Sequence, residues 1–135
     1  MTEEEKRALV KYRLERANES LTAARLLFEN KLFIPAMNRI YYSMFYSVQA
    51  LLVLDEKAFS KHGQVKGYFN KEYVKRGIFA KESGRLFNTV FEYRQKFDYV
   101  DMLMPEEELI SDYLIEARRF VDQISAFVND KLSAS

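Results

Sequence analysis

Apolar residues recur along almost the whole chain at alternating intervals of three and four, the spacing that lines one face of an α-helix, and no stretch alternates convincingly as a strand would. Val10, Leu14, Ala17, Leu21, Ala24 and Phe28 form the first stripe, with Lys6, Lys11, Arg13, Arg16 and Arg25 left mainly outside it. Thr2, with Glu5 three residues on, has the form of a capping box, in which hydroxyl and carboxylate each satisfy a free backbone N–H. A helix is therefore expected from there to about Asn30–Lys31. A second helix follows within a few residues, from Ile34 to Leu54, with Pro35 in its first turn where a missing N–H costs nothing. Met37, Tyr41, Met44, Val48 and Leu51 line one of its faces, and Ile34, Phe45 and Leu52 the next. Such a helix, apolar nearly all round, belongs in the middle of the fold. The short connection makes the two helices antiparallel neighbours.

Asp55 to Phe59 reads as a loop, and Ser60 as the N-cap of a third helix over Lys61 to about Val74. Gly63 and Gly67 share a face of it, at a cost of roughly 1 kcal/mol each in helix propensity. That cost points to a backbone brought close to a neighbour, most simply another helix. Gly77 is placed to end the segment in a left-handed turn, and the chain kinks at Ile78–Phe79. Leu86, Phe87, Val90, Phe91 and Phe97 mark a fourth helix from about Lys81 to Asp98. Pro105 followed by Glu106, Glu107 and Glu108 is a helix start, with acids beside the positive end of the dipole. Ile110, Tyr113, Ala117, Phe120, Val121, Ile124, Phe127 and Val128 supply the buried stripe of a long last helix, and Ser133–Ala134–Ser135 should fray. These elements predict an all-α protein: a single domain over residues 1–135, built as an up-and-down bundle of four to five helices.

Composition narrows the chemistry. There is no cysteine, which removes disulfides, thiolate metal sites and cysteine nucleophiles, and a zinc site would have carboxylates alone to add to His62. No metal and no cofactor is expected. The apolar run Ile34–Leu54 is diluted by Arg39, Asn38, Gln49, two serines and three tyrosines, which argues against a membrane span. The first seven residues are too charged for a signal peptide, and a cytoplasmic location is expected. Formal net charge is +1, yet residues 57–85 hold eight Lys or Arg against two Glu, while residues 98–122 hold eight acids against two Arg. The two segments are either solvated faces or, for the first, a basic surface for phosphates.

Some polar residues sit where the pattern calls for apolar ones. Asn38, Arg39, Tyr42, Ser43, Tyr46 and Gln49 lie on the central helix and must be paired internally or line a site. Arg94, four after Val90 and three after Phe91, is carried toward the apolar side, where its guanidinium needs an anion or carbonyl partner. Asp98, one turn on, can reach it, so Arg94 is either half of an internal pair or an arginine held for a phosphate. Gly-rich phosphate loops, Gly-x-Ser-x-Gly and His-Glu-x-x-His are absent. Metal-free RNA cleavage needs a base, a cation and an acid, and Arg94 and His62 are the catalytic candidates if the fold brings them together.

Three blocks taken together resemble the small prokaryotic HEPN-domain proteins, in order and over nearly the whole chain. They are Ala36-Met37-Asn38-Arg39-Ile40-Tyr41-Tyr42-Ser43-Met44-Phe45-Tyr46 with Ala50-Leu51-Leu52, then Lys61-His62-Gly63 with Phe69, then Arg94-Gln95-Lys96-Phe97-Asp98-Tyr99. The resemblance implies a helical bundle, a homodimer with a cleft near the end of the fourth helix, and a small nucleotidyltransferase as partner protein. Many HEPN ribonucleases carry a histidine after the arginine with four to six residues between the two. Here Tyr99, Val100 and Asp101 occupy positions where it would fall, so the reading leans away from an enzyme. The expected function is that of a nucleotide- or RNA-binding subunit of a two-component, toxin–antitoxin-like system. Its phosphate ligands would be Arg94, Arg39, Lys61 and His62, with Asp98 orienting Arg94 and with Asn38, Tyr42 and Tyr99 as hydroxyl, amide or stacking groups. The alternatives are a metal-independent RNase toxin that uses His62, and a dimeric structural partner that binds no ligand.

Overall fold

The computed structural model describes residues 1–134, and among them five helices: α1 (Glu3–Glu29), α2 (Phe33–Leu54), α3 (His62–Phe69), α4 (Lys81–Tyr99) and α5 (Glu107–Ser133). The Thr2–Glu5 capping box closes on α1 in both directions, each bond at 3.0 Å. A tight turn through Lys31, with φ near 60°, reverses the chain into α2. The all-α bundle expected from periodicity is what forms, and α2 is its axis. It packs on α1, α3, α4 and α5 and buries Met37, Ile40, Tyr41, Met44, Val48 and Leu51. Small residues, Ala17, Ser20 and Ala24 on α1 and Ala36, Ser43, Ser47 and Ala50 on α2, keep these two helix faces free of bulk. The buried hydroxyls of Ser43 and Ser47 donate back to the carbonyls of Ile40 (2.6 Å) and Met44 (2.7 Å), so neither is an orphan. No helix among the described residues is long and apolar enough to cross a membrane.

α3 begins at His62 with Lys61, not Ser60, in the N-cap position; the Gln64 side chain reaches back to the Lys61 N–H at 3.2 Å, a contact a hydroxyl one residue earlier does not supply. The helix continues through Asn70–Val74 as a π-turn, closed by the Lys75 N–H on the Asn70 carbonyl at 2.8 Å. Gly77, at φ 78°, ends it as expected. The glycine expectation needs correcting. A Cβ at Gly63 or Gly67 would meet nothing within 4 Å, because that face of α3 looks outward; the tight approach is at Gly84 on α4. α4 ends at Tyr99, one residue past the expected boundary. α5 begins at Glu107, so Pro105 lies two residues before the helix and not at its first position. Ser133 is still helical, and Ser135 lies outside the described residues.

Candidate functional site

The polar residues of α2 divide into two groups. Tyr46 and Gln49 face α1, where they accept hydrogen bonds from Arg16 (3.0 Å) and Arg13 (3.1 Å) and draw both arginines partly under cover. Asn38, Arg39 and Tyr42 lie one to three turns earlier on the same stripe of α2, the Tyr42 ring 5.7 Å from that of Tyr46, and meet the end of α4 and the start of α3. There the structure assembles a connected cluster.

Arg94 is its centre, only 8% exposed. Its Nη2 lies 3.2 Å from Nδ1 of His62, and its Nη1 3.6 Å from the Asp98 carboxylate, close enough for charge but long for a hydrogen bond. The guanidinium sits 4.7 Å from the ring centre of Tyr41 and 5.6 Å from that of Tyr42. Its Nε is buried without an acceptor. Asn38 donates to the same Asp98 oxygen at 3.2 Å and accepts two N–H groups from Arg39 at 2.9 and 3.2 Å, while Arg39 lies over the Tyr42 ring at 4.8 Å. The chain of contacts thus runs from Arg39 through Asn38 and Asp98 to Arg94 and His62.

His62 is clamped at the first turn of α3, stacked 4.2 Å from Phe45, with Tyr41 beside it and the edge of Tyr42 against it. The Tyr41 hydroxyl lies 2.8 Å from Nδ1. Burial holds the Tyr41 phenol protonated, well above the ordinary tyrosine range, against the pull of Arg94. Burial, and after it the Arg94 charge, push His62 below its ordinary value, so the imidazole is neutral. Arg94 can only donate, which assigns the Nδ1 lone pair as acceptor and puts the remaining proton on Nε2. Nε2 is neither buried nor hydrogen-bonded among the described residues and faces solvent as a donor.

Of the residues singled out from sequence, Arg94, His62, Asn38, Asp98, Arg39 and Tyr42 come together here. Lys61 is exposed at the start of α3, and Tyr99 is 75% exposed at the end of α4; neither touches the cluster. Two members were hidden in the sequence. Tyr41 and Phe45 read as apolar stripe, yet one supplies the hydroxyl on His62 and a ring for Arg94, and the other the platform on which the imidazole stacks. The signal available was position: they lie three and seven residues after Asn38, on its side of the helix.

The family model described as HEPN domain matches residues 10–127. A Thermotoga maritima protein named "UPF0332 protein" is 41% identical over 126 residues, covering 93% of this chain and 96% of its own. Two Methanocaldococcus jannaschii proteins are also similar. "Putative toxin MJ0605" is 36% identical, over 88% of each chain. "Putative toxin MJ0142" is 33% identical, over 87% of this chain and 80% of its own.

Proposed function

The chain belongs to the HEPN domain family, and on that premise we propose that it is a nucleotide- or RNA-phosphate-binding subunit of a two-component, toxin–antitoxin-like system. In this reading it acts as a homodimer beside a small nucleotidyltransferase. The observation that supports the binding role is the state of Arg94: a buried cation whose one carboxylate stands 3.6 Å off and is shared with Asn38. Beside it the Nε2–H of His62 points to solvent, and Arg39 lies on the Tyr42 ring. A phosphate oxygen accepts from such donors, and a base can stack on a tyrosine or guanidinium plane. The names of the two archaeal relatives accord with a toxin system.

Binding of a labelled single-stranded RNA and of a free nucleotide at low salt tests the proposal. Losing charge-assisted hydrogen bonds of about 1.5–3 kcal/mol makes Arg94→Gln roughly ten- to a hundredfold weaker than the parent. No binding by the parent chain removes the proposal and leaves the structural-partner reading.

The contact of His62 with Arg94 at 3.2 Å favours a second reading, metal-independent RNA cleavage, since the two groups can address one phosphate. Its chemistry is constrained by the tautomer. With Nδ1 occupied by Tyr41 and Arg94, the outward Nε2 carries a proton, so neutral His62 can hydrogen-bond a phosphate oxygen but has no free lone pair for the 2′-hydroxyl proton, and only its imidazolium form can protonate a leaving oxygen. RNA cleavage in EDTA that disappears in both Arg94→Ala and His62→Ala would establish the enzyme and overturn the binding-only reading.

A further inference from the structure

Between the start of α1 and the end of α2 lies a cleft of about 410 Å³ that shares no residue with the His62–Arg94 cluster. Its walls are apolar: Leu9 from α1, Leu52 and Val53 from α2, and Phe59 from the loop after α2. The polar groups on it are few and convergent. Arg13 is half-buried and gives one N–H to Gln49 at 3.1 Å, while its Nε is buried with no acceptor and no carboxylate pairs with it among the described residues. Three residues on, Arg16 shows what a satisfied neighbour looks like: it donates to the hydroxyls of Tyr12 (3.1 Å) and Tyr46 (3.0 Å) and lies over both rings. Arg13 therefore carries an unneutralised charge in an apolar cleft, a state that buried polar groups seldom keep without a partner.

Volume and lining suit a small molecule, for which sites of about 300–1,000 Å³ with apolar walls and a few fixed polar groups are usual. The charges on it select the head group. Arg13, fixed by Gln49, neutralises one negative charge, and among the other lining residues Lys57 and the amino group of Met1 stand against Glu56, so the head group is an anion. A planar carboxylate matches the guanidinium fork.

We propose that this cleft binds a small amphiphilic monocarboxylate, an apolar chain or side chain ending in one carboxylate, anchored by Arg13 with Gln49 holding the guanidinium in place. Two sources share that chemistry: a free acyl carboxylate, and the C-terminus of a peptide ending in a large apolar residue.

The test is a nuclear magnetic resonance titration of the isotope-labelled full chain with octanoate, with N-acetyl-leucine and with octanamide. Octanoate or N-acetyl-leucine is expected to shift the Arg13 Nε–H and Gln49 side-chain signals while leaving the His62 ring unmoved, and the better of the two identifies the source. Octanamide should bind at least about tenfold more weakly. Arg13→Gln should abolish the shifts. Because that change can also loosen the α1–α2 contact, Ala58→Trp provides a second variant: Ala58 lines the cleft on an exposed loop, so filling the volume there leaves the guanidinium in place. Equal binding of octanamide, no shift at Arg13 with either carboxylate, or shifts that survive Ala58→Trp would each overturn the proposal.

Discussion

Arg94 is held by aromatic faces as well as by charge. The Asp98 oxygen at 3.6 Å lies beyond hydrogen-bond range, whereas the faces of Tyr41 and Tyr42 hold the guanidinium from the ring side, each contact worth about 0.5–2 kcal/mol at such a desolvated position. The same cation adds to burial in keeping His62 unprotonated. Its folded pKa lies below the ordinary value near 6.5, from burial first and Arg94 second, so as pH falls through about 6.5 the unfolded chain takes up a proton that the fold refuses. Stability present at neutral pH is therefore lost progressively on acidification, in a window that opens near pH 6.5 and closes below the folded pKa. Urea midpoints between about pH 7.5 and 5.5, above the carboxylate range, should fall in the parent and change less in His62→Gln. Arg94→Gln, which removes the second cause only, should give an intermediate slope; a slope in His62→Gln as steep as the parent's would remove His62 as its source. Arg94 was legible in the sequence because its spacing puts a charge on an apolar stripe. Its contact with His62 was not, since 32 positions separate them and only the packing of α3 on α4 and α2 closes the gap.

At the level of elements, helix spans could be read from periodicity to within a residue or two, while the reasons for the glycines could not. A Cβ at Gly84 would stand 2.7 Å from Oδ1 of Asn70 and 3.1 Å from both methyls of Val74. Asn70 cannot simply withdraw, because its amide donates to the Lys66 carbonyl and to Asn88, both at 2.9 Å. Overpacking of about 1–3 kcal/mol then outweighs the roughly 1 kcal/mol that alanine gains in a helix, and Gly84→Ala should destabilise. Gly67 has open space around it, so Gly67→Ala should stabilise by about 0.5–1 kcal/mol. Urea denaturation of both variants checks the opposite signs; the reverse order would mean that α3 and α4 pack differently. Sequence shows that two glycines share a face of α3, not which way that face points.

The π-turn after α3 was equally hidden, and it has a discernible cause. Residues five apart diverge by roughly 140° on a regular α-helix, but a π-turn brings them round toward one face. Here it lets Tyr68 (2.9 Å) and Tyr73 (2.5 Å) donate to the same Asp55 oxygen at the end of α2. Burial and then Asp55 push the Tyr68 phenol up to about 12. Asp55→Ala leaves the buried Tyr73 hydroxyl without its acceptor, at an expected cost of about 1–3 kcal/mol. Tyr73→Phe in the Asp55→Ala background should restore part of that loss, because it removes the stranded hydroxyl. If the double variant is no more stable than Asp55→Ala alone, the hydroxyl found another partner and the shared carboxylate does not tie the π-turn to α2.

Across the whole molecule, the architecture could be anticipated because its instructions are repeated on every helix, whereas an association surface is written only in what is left uncovered. The last residue of α4 and the connection to α5 leave Tyr99, Val100, Met102 and Met104 exposed in one short stretch, with Met102 at φ 65° entirely in solvent, while Leu103 packs against the core. Several apolar side chains at one loop are more than the scattered exposure of an ordinary surface, and this loop follows directly from Asp98 of the cluster. The proposed homodimer, placed on this loop, would cover the apolar stretch and bring a second chain beside the Arg94 site. Sedimentation equilibrium should then show a dimer for the parent chain, and Val100→Glu with Met102→Glu should weaken it by at least about tenfold, since each change puts an unpaired charge into the contact. Both positions are more than half exposed, so circular dichroism should stay helical and separate lost association from lost folding. A double variant that dimerises as tightly as the parent would move the interface elsewhere. Arg94 would then remain a site of the single chain, and the Arg94→Gln loss of RNA binding should be independent of protein concentration.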